Sequence, residues 1–398
     1  MTTFAGAGMN ALEESEAAGR QATLDALAPL QGRSPTLLIV FATGHYDPTP
    51  LVRGIYAVSG QVPLLGCCAG GIIGPRGAAR QGVVVLALYS DKLDITLGLA
   101  AGIRKRPVEI SEQVANQIEN QAPAPSAGRH LMALVLADGA ATTLEEVVQS
   151  TATMAGPLCP LVGGGSGNKV QAHAGRLFVN DQALLDALAV AQLSSAAPIG
   201  IGVAHGWTPV GRPLVVTRSR GPIVHELNGQ TALEVYRRLF PEGNLTLENF
   251  GPFVSAHPLG LPQISGEFII RDPMRTHPDG SIECTATIPE NTITHIMQGD
   301  QASLCAAAQR AAEQALQRLG GQPAAAAFVF DCISRLQYLG PEAETEVSLI
   351  RGILGENTPV AGMFSFGEVA TAGGPAVFHN KTVVVCAIGK DESTDGTN

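Results

Sequence analysis

Three apolar runs recur along the chain: Thr36–Ala42 (TLLIVFA), Leu131–Ala137 (LMALVLA) and Ala325–Phe330 (AAAFVF). Runs of this length without polar alternation predict strands buried on both faces. Each is followed by a short polar turn, a helix-like stretch and a second apolar run. That second run begins after a proline and contains a glycine: Pro63/Gly66, Pro160/Gly163 and Pro359/Gly362. Helical periodicity is predicted from about Thr143 to Ala155 in the second copy and from about Glu342 to Leu354 in the third. A Gly-rich turn then leads to a further strand, at Val83–Leu88, at Leu177–Asn180, and at Ala376–His379 with Thr382–Ala387. A unit used three times in this order is a repeated βαβ-type crossover. Its first loop and its Gly-rich turn both leave from the carboxyl ends of strands. Open α/β sheets usually bind ligands along that edge.

The flanking patterns differ. Residues 10–29 read as an amphipathic helix with Asn10 as its cap and Glu13 at the capping-box position. Between the second and third copies, Leu214–Thr217 and Pro222–Glu226 predict a hairpin, followed by a helix at Ala232–Leu239. Gly266–Arg271 and Ser281–Ile288 predict a second hairpin across His277-Pro278-Asp279-Gly280. A long Ala/Gln-rich helix at about Gln301–Leu319 leads into the third copy. The expected fold class is α/β, with mixed sheets, packed helices and repeated strand-loop-helix-strand-Gly turn-strand units in a two-part chain. The expected parts are 1–34 (helix and lead-in), 35–205, 206–389 and a disordered tail at 390–398.

Composition narrows the function classes. The 398 residues carry a net charge of −10, and no basic run exceeds Arg104-Lys105-Arg106, so a nucleic-acid footprint is not expected. Glu13, Glu14 and Glu16 interrupt any N-terminal leader core, and the apolar runs are too short to span a bilayer. Seven cysteines without C-x-x-C spacing fit reduced thiols and not a disulfide or zinc framework. The expectation is a cytoplasmic protein without membrane insertion.

Candidate chemistry lies in the turns. Gly66-Cys67-Cys68-Ala69-Gly70-Gly71-Ile72-Ile73-Gly74 forms the first Gly-rich turn, but it lacks the lysine of a phosphate loop. Cys67 and Cys68, as alternating strand residues, should face opposite sides. Gly163-Gly164-Gly165-Ser166-Gly167-Asn168 resembles a nucleophile elbow, but Asn168 stands where the motif needs glycine. The third copy is the most polar. Asp331-Cys332-Ile333-Ser334-Arg335 ends a buried strand, Glu344 and Glu346 follow, and Phe364-Ser365-Phe366-Gly367-Glu368 closes the unit. Arg335 offers a fork for a carboxylate or phosphate, and Glu346 or Glu368 can hold an ammonium group or orient Arg335. An internal Arg–Glu pair fixing the turn is the other reading of the same residues. The candidate ligand-binding residues are therefore Cys332, Ser334, Arg335, Glu346, Phe366, Gly367 and Glu368, with Gly66, Cys67, Cys68 and Gly70 of the first turn. No residue is assigned as catalytic and no metal site is expected. The nine histidines show no ligand spacing. His45 and His205 are the candidates if a haem needs an axial imidazole. Cys332 beside Arg335, or Ser166, would be the nucleophile if the chain is an enzyme.

Taken together, these segments resemble the FIST family. The likeness runs through PLLGCCAGGIIG (63–74) and PLVGGGSGN (160–168) in the first half. It continues through RPLVVTRSRGPIVHELNGQTALEVY (212–236), residues 268–298, and 328–368 with its DCISR and FSFGE segments. The family pattern usually places a Ser-Thr pair and an acid in the first Gly turn. Cys68-Ala69 and Gly71-Ile72 stand there instead, which shifts weight to the third copy. The resemblance implies a bacterial sensory module for a small ligand such as an amino acid or small acid, or a haem-binding nitric-oxide sensor. It also implies a histidine kinase, a cyclic-dinucleotide enzyme or a chemoreceptor as a separate signalling partner.

Overall fold

The computed structural model describes residues 3–123, 128–139, 143–167, 175–371 and 373–390. Asn168 and the tail beyond Lys390 lie outside them. Three units with the same element order make up the frame. Unit one contains β1 (Phe4–Asn10), α1 (Ser15–Leu27), β2 (Leu37–Thr43), α2 (Pro48–Ser59) and β3 (Leu64–Ala69). It ends with a hairpin of β4 (Ile72–Gly74) and β5 (Gly77–Ala79) and a closing strand β6 (Val83–Tyr89). Unit two contains β7 (Leu93–Ala101), α3 (Pro107–Glu119), β8 (His130–Asp138), α4 (Leu144–Ala155) and β9 (Leu161–Ser166). Its hairpin is β10 (Leu177–Val179) and β11 (Gln182–Leu184), and β12 (Ala187–Ser195) closes it.

Unit three opens with β13 (Ile199–Ala204) and is then interrupted by a separate antiparallel sheet. That insertion holds β14 (Thr208–Arg220), β15 (Ile223–Leu227), β16 (Gln230–Thr231), α5 (Ala232–Leu239) and α6 (Phe250–Val254). It continues with β17 (Leu259–Pro262), β18 (Phe268–Arg271), β19 (Pro273–Thr276), β20 (Ile282–Cys284) and β21 (Ile293–Gln298). The unit resumes with α7 (Gln301–Gln317), β22 (Ala324–Cys332), α8 (Ile333–Leu339), α9 (Ala343–Leu354) and β23 (Val360–Ser365). It ends with the hairpin β24 (Glu368–Thr371) and β25 (Ala376–His379) and the closing strand β26 (Val383–Gly389).

In each unit the two apolar runs seen in the sequence pair in parallel, β2 with β3, β8 with β9 and β22 with β23. The closing strand lies antiparallel on the first of them. Each hairpin leaves its own unit and extends the sheet of another. The β4–β5 hairpin joins β23, β10–β11 joins β3, and β24–β25 joins β9. This cyclic exchange closes three six-stranded sheets around one core. Inward residues of all three sheets meet there, and Phe41 packs edge-on against Phe330 with ring centroids 5.7 Å apart. The helices cover the outer faces, which explains why the strands read as continuous apolar runs.

Two expectations need correction. The N-terminal helix begins at Ser15, capped by the Glu14 side chain and not by Asn10. Residues 4–10 before it form β1, whose Ala/Gly composition hides a strand. Gly6 and Gly8 are required there because a Cβ would fall 2.2 and 2.0 Å from carbonyls of α1. The hairpin across 277–280 is built from β19 and β20, while β18 pairs with β17. Separately from these, β13 pairs with β26 at the other end of the chain.

Candidate functional site

The carboxyl ends of the parallel strands gather the Gly-rich turns. The Gly70 N–H donates to the Phe364 carbonyl at 2.9 Å, Gly167 to Cys68 at 3.1 Å, and Phe366 to Gly165 at 2.9 Å. The glycines of the first turn serve packing. A Cβ on Gly66 would sit 2.1 Å from the Val40 oxygen, and one on Gly70 would sit 2.6 Å from Ile333. Cys67 faces the central core with its sulfur 3.3 Å from that of Met363, and Cys68 faces α1 and α2. The predicted alternation is present, and both thiols are buried. Gly367, at φ 103, takes a left-handed conformation, and a side chain there would strike the Phe378 ring. The Phe366 ring lies over Gly167.

Asp331, Arg335 and Glu346 form a fully buried trio. Arg335 sits in the first turn of α8, so its side chain reaches back toward β22. The guanidinium donates to the carbonyls of His205 (2.6 Å), Leu304 (3.0 Å) and Lys381 (3.4 Å). It also pairs with Glu346, and its Nε lies 3.1 Å from Asp331. These partners come from the end of β13, the start of α7, α9 and the turn before β26. A buried cation needs this degree of compensation. Burial, then the adjacent Glu346 charge, pushes the Asp331 carboxyl well above the ordinary carboxylate range. The guanidinium is spent inside the protein, and with Asp331 of β22 it joins five segments.

A second cluster lies beside it. Glu368 is fully buried; it accepts from the Ser365 hydroxyl at 2.8 Å and from the Thr382 N–H at 3.3 Å. Burial pushes its carboxyl up to about 8, against hydrogen bonds from Ser365, Thr382 and Cys332 that favour the charged form. Ser334 donates to Asp272 at 2.7 Å. Asp272 also holds the Lys381 ammonium at 3.2 Å. Lys381 is 1% exposed, donates to the Ser255 carbonyl at 2.9 Å, and lies 5.4 Å from the Trp207 ring centroid. Its φ of 52 is unusual for a lysine, and non-glycine residues held in this region cluster at functional sites. Two further polar links join the inserted sheet to the frame. Arg271 pairs with Glu145 at 2.6 Å and Thr285 donates to Asn380 at 2.6 Å.

The structure thus brings Cys332, Ser334, Arg335, Glu346 and Glu368 to one strand edge, in two adjoining clusters. Sequence reasoning missed Lys381, Asp272, Thr382 and Arg271. The signal for the first was a polar Asn380-Lys381-Thr382 turn ahead of an apolar strand. For the pair 271–272 it was two charges ending a strand before Pro273.

The nucleophile and haem candidates have their own surroundings. Burial, then the Glu368 charge, pushes the Cys332 thiol well up, away from thiolate. The Ser166 hydroxyl is buried with no hydrogen-bond partner among the described residues. His45 is exposed, its ring tilted 37° against that of Tyr46 with centroids 4.0 Å apart, and its Nδ1 lies 3.1 Å from the Thr43 hydroxyl. His205 is pushed down to about 4 by burial and the Arg335 charge, so it is neutral. Its Nδ1 accepts from the Trp207 N–H at 2.9 Å, which puts the ring proton on Nε2. An iron-ligating imidazole has the opposite arrangement, donating from the nitrogen away from the metal. His205 as placed therefore does not fit a haem.

The chain also matches known sequence families. The FIST N domain matches residues 36–230 and the FIST C domain matches residues 232–371. The chain belongs to the FIST family, whose domains are of the sensory type. Among curated proteins it is similar to an uncharacterized protein of Mycobacterium bovis, 28% identical over 215 residues, 52% of this chain and 54% of that one. A second, from Mycobacterium tuberculosis, is 26% identical over 215 residues, 52% of this chain and 55% of that one. The chain spans about half the length of the curated relatives it matches. Among solved structures, the cyanuric acid hydrolase from A. caulinodans aligns over 97% of this chain and 99% of its own at 9% identity, with a TM-score of 0.33. No helix among the described residues is long and apolar enough to cross a membrane.

Proposed function

We propose that this chain is a sensory protein for an amino acid or small carboxylic acid, bound at the carboxyl edge of unit three and reported to a separate signalling partner. The observation that carries the reading is the buried pairing of Lys381 with Asp272 beside Cys332 and the protonatable Glu368. A ligand carboxylate takes the Lys381 ammonium in place of Asp272. A ligand ammonium meets Glu368 or the released Asp272. Ser334 and Ser365 supply neutral hydrogen-bonding groups. Arg335, Asp331 and Glu346 act beneath them as a rigid floor.

Asp272 belongs to the inserted sheet and Lys381 to the frame. A ligand that competes for this ion pair therefore changes how the two parts hold each other. This supplies differential contacts in two states, which any ligand-driven shift requires. The partner fits the classes the family suggests, a histidine kinase, a cyclic-dinucleotide enzyme or a chemoreceptor.

A thermal-shift screen with the proteinogenic amino acids and small mono- and dicarboxylic acids tests the reading. At least one class is expected to raise Tm, and Lys381→Met is expected to remove that rise. No stabilising compound in the panel, or a rise that survives Lys381→Met unchanged, would overturn it.

A further inference from the structure

Each of the three hairpin-extended sheets ends in edge strands that pair on one side only, β7 among them. One seam lies between β7, the edge strand of the sheet of unit two, and the β10–β11 turn of the sheet of unit one, where Ile95–Leu97 and Asn180–Asp181 line one cleft. The Gln117 side-chain amide from α3 bonds Leu99 of β7 at both backbone groups. The Leu99 N–H donates to Gln117 Oε1 at 2.9 Å, and Gln117 Nε2 donates to the Leu99 carbonyl at 3.1 Å. Leu99 therefore turns its N–H and C=O away from β12, its antiparallel neighbour. Opposed residues of an antiparallel pair alternate between bonded and non-bonded. Leu97 and Ile95, in register with Ala191 and Leu193, share the orientation of Leu99. Their N–H and C=O groups face the seam, where no described residue pairs with them.

The seam opens there into a cleft of about 540 Å³. Ile95 and Leu97 stand on one wall, and Tyr56, Val62, Pro63 and Asp181 face them. Asp181 stands at the tip of the β10–β11 hairpin. Its charge, after burial, helps push the Tyr56 phenol up to about 12.

We propose that this seam binds an extended peptide segment of a partner protein by strand addition to β7, with a basic side chain of that segment placed against Asp181. Free donors and acceptors at strand spacing match an extended backbone and few other ligands. Gln117 supplies the geometric argument. A primary amide already occupies the next position along the same edge with the two bonds a peptide unit would make. The side chains of Val62, Pro63 and Tyr56 offer apolar contact, and the carboxylate of Asp181 selects a positive charge. The site stands apart from the carboxyl-edge clusters and does not depend on them.

Selection of a randomised nine-residue peptide library on the full chain tests this. Enriched peptides are expected to carry Lys or Arg and to slow exchange of the Ile95 and Leu97 amides at least tenfold. N-methylation of alternate residues in an enriched peptide is expected to abolish that protection, and Asp181→Asn to weaken binding severalfold. Because these readouts alter the peptide or an exposed side chain, they do not depend on a destabilised strand. No enrichment, or enriched peptides that protect neither amide, would overturn the proposal.

Discussion

At the scale of single residues, burial sets the chemistry. Arg335 holds its charge in the interior because two acids and three carbonyls surround it. Removing one partner leaves an uncompensated buried charge, which costs about 3–5 kcal/mol. Glu346→Leu is therefore expected to lower the unfolding free energy by about that amount in urea titrations. Glu368 adds a pH dependence of definite sign. Its carboxyl is raised to about 8 in the folded chain against 4.5 ordinarily, so the folded state binds the extra proton. The contribution is complete below about 4.5 and is lost as pH rises through about 8. Glu368→Gln is expected to flatten the fall in urea midpoint between those limits. A variant whose midpoint falls as steeply as the native chain would show that Glu368 is not the titrating group.

At the scale of elements, close packing of glycine-bearing strands decides what is tolerated. Gly202 of β13 lies against α7, where a Cβ would sit 1.8 Å from the Ala311 oxygen. Gly202→Ala is expected to cost about 1–3 kcal/mol through displacement of the helix, readable as a lower Tm. Gly60→Ala provides the contrast, because a Cβ there meets nothing within 4 Å and only the left-handed φ of 72 opposes it. The βαβ cores were legible in the sequence because parallel strands covered by helices on one side and a shared core on the other must be apolar throughout. The strand-helix pair that opens each unit was harder to read. β1 is rich in alanine and glycine because α1 packs directly on its backbone, and such a strand carries little hydrophobic signal. The site was half legible. Cys332, Ser334, Arg335, Glu346 and Glu368 lie on or beside strands that periodicity locates. Lys381 and Asp272 meet across 109 positions of sequence by virtue of the inserted sheet, which no local pattern encodes.

At the scale of the whole molecule, the exchanged hairpins and the inserted sheet divide the work. The hairpins tie the units together through backbone ladders, and the core they close is apolar. The inserted sheet also meets the frame through charged and hydroxyl groups: Arg271 with Glu145, Asp272 with Lys381 and Ser334, and Thr285 with Asn380. Polar contacts of this kind can be exchanged for contacts with a small acid, whereas an apolar ladder cannot. If Lys381 and Asp272 act as one unit, their effects are coupled. A double-mutant cycle with Lys381→Met and Asp272→Leu is expected to give an interaction energy of about 0.5–3 kcal/mol, measured by chemical unfolding. Strict additivity would mean that the ion pair does not hold the two parts together.

The most direct test is a calorimetric titration of the best acid or amino acid from the thermal-shift screen into the native chain and into Lys381→Met, with folding checked by circular dichroism. Binding to the native chain and an affinity at least tenfold weaker in the variant is the predicted result. Equal affinity in the two folded proteins would contradict the assignment of Lys381 as the group that receives the ligand's carboxylate.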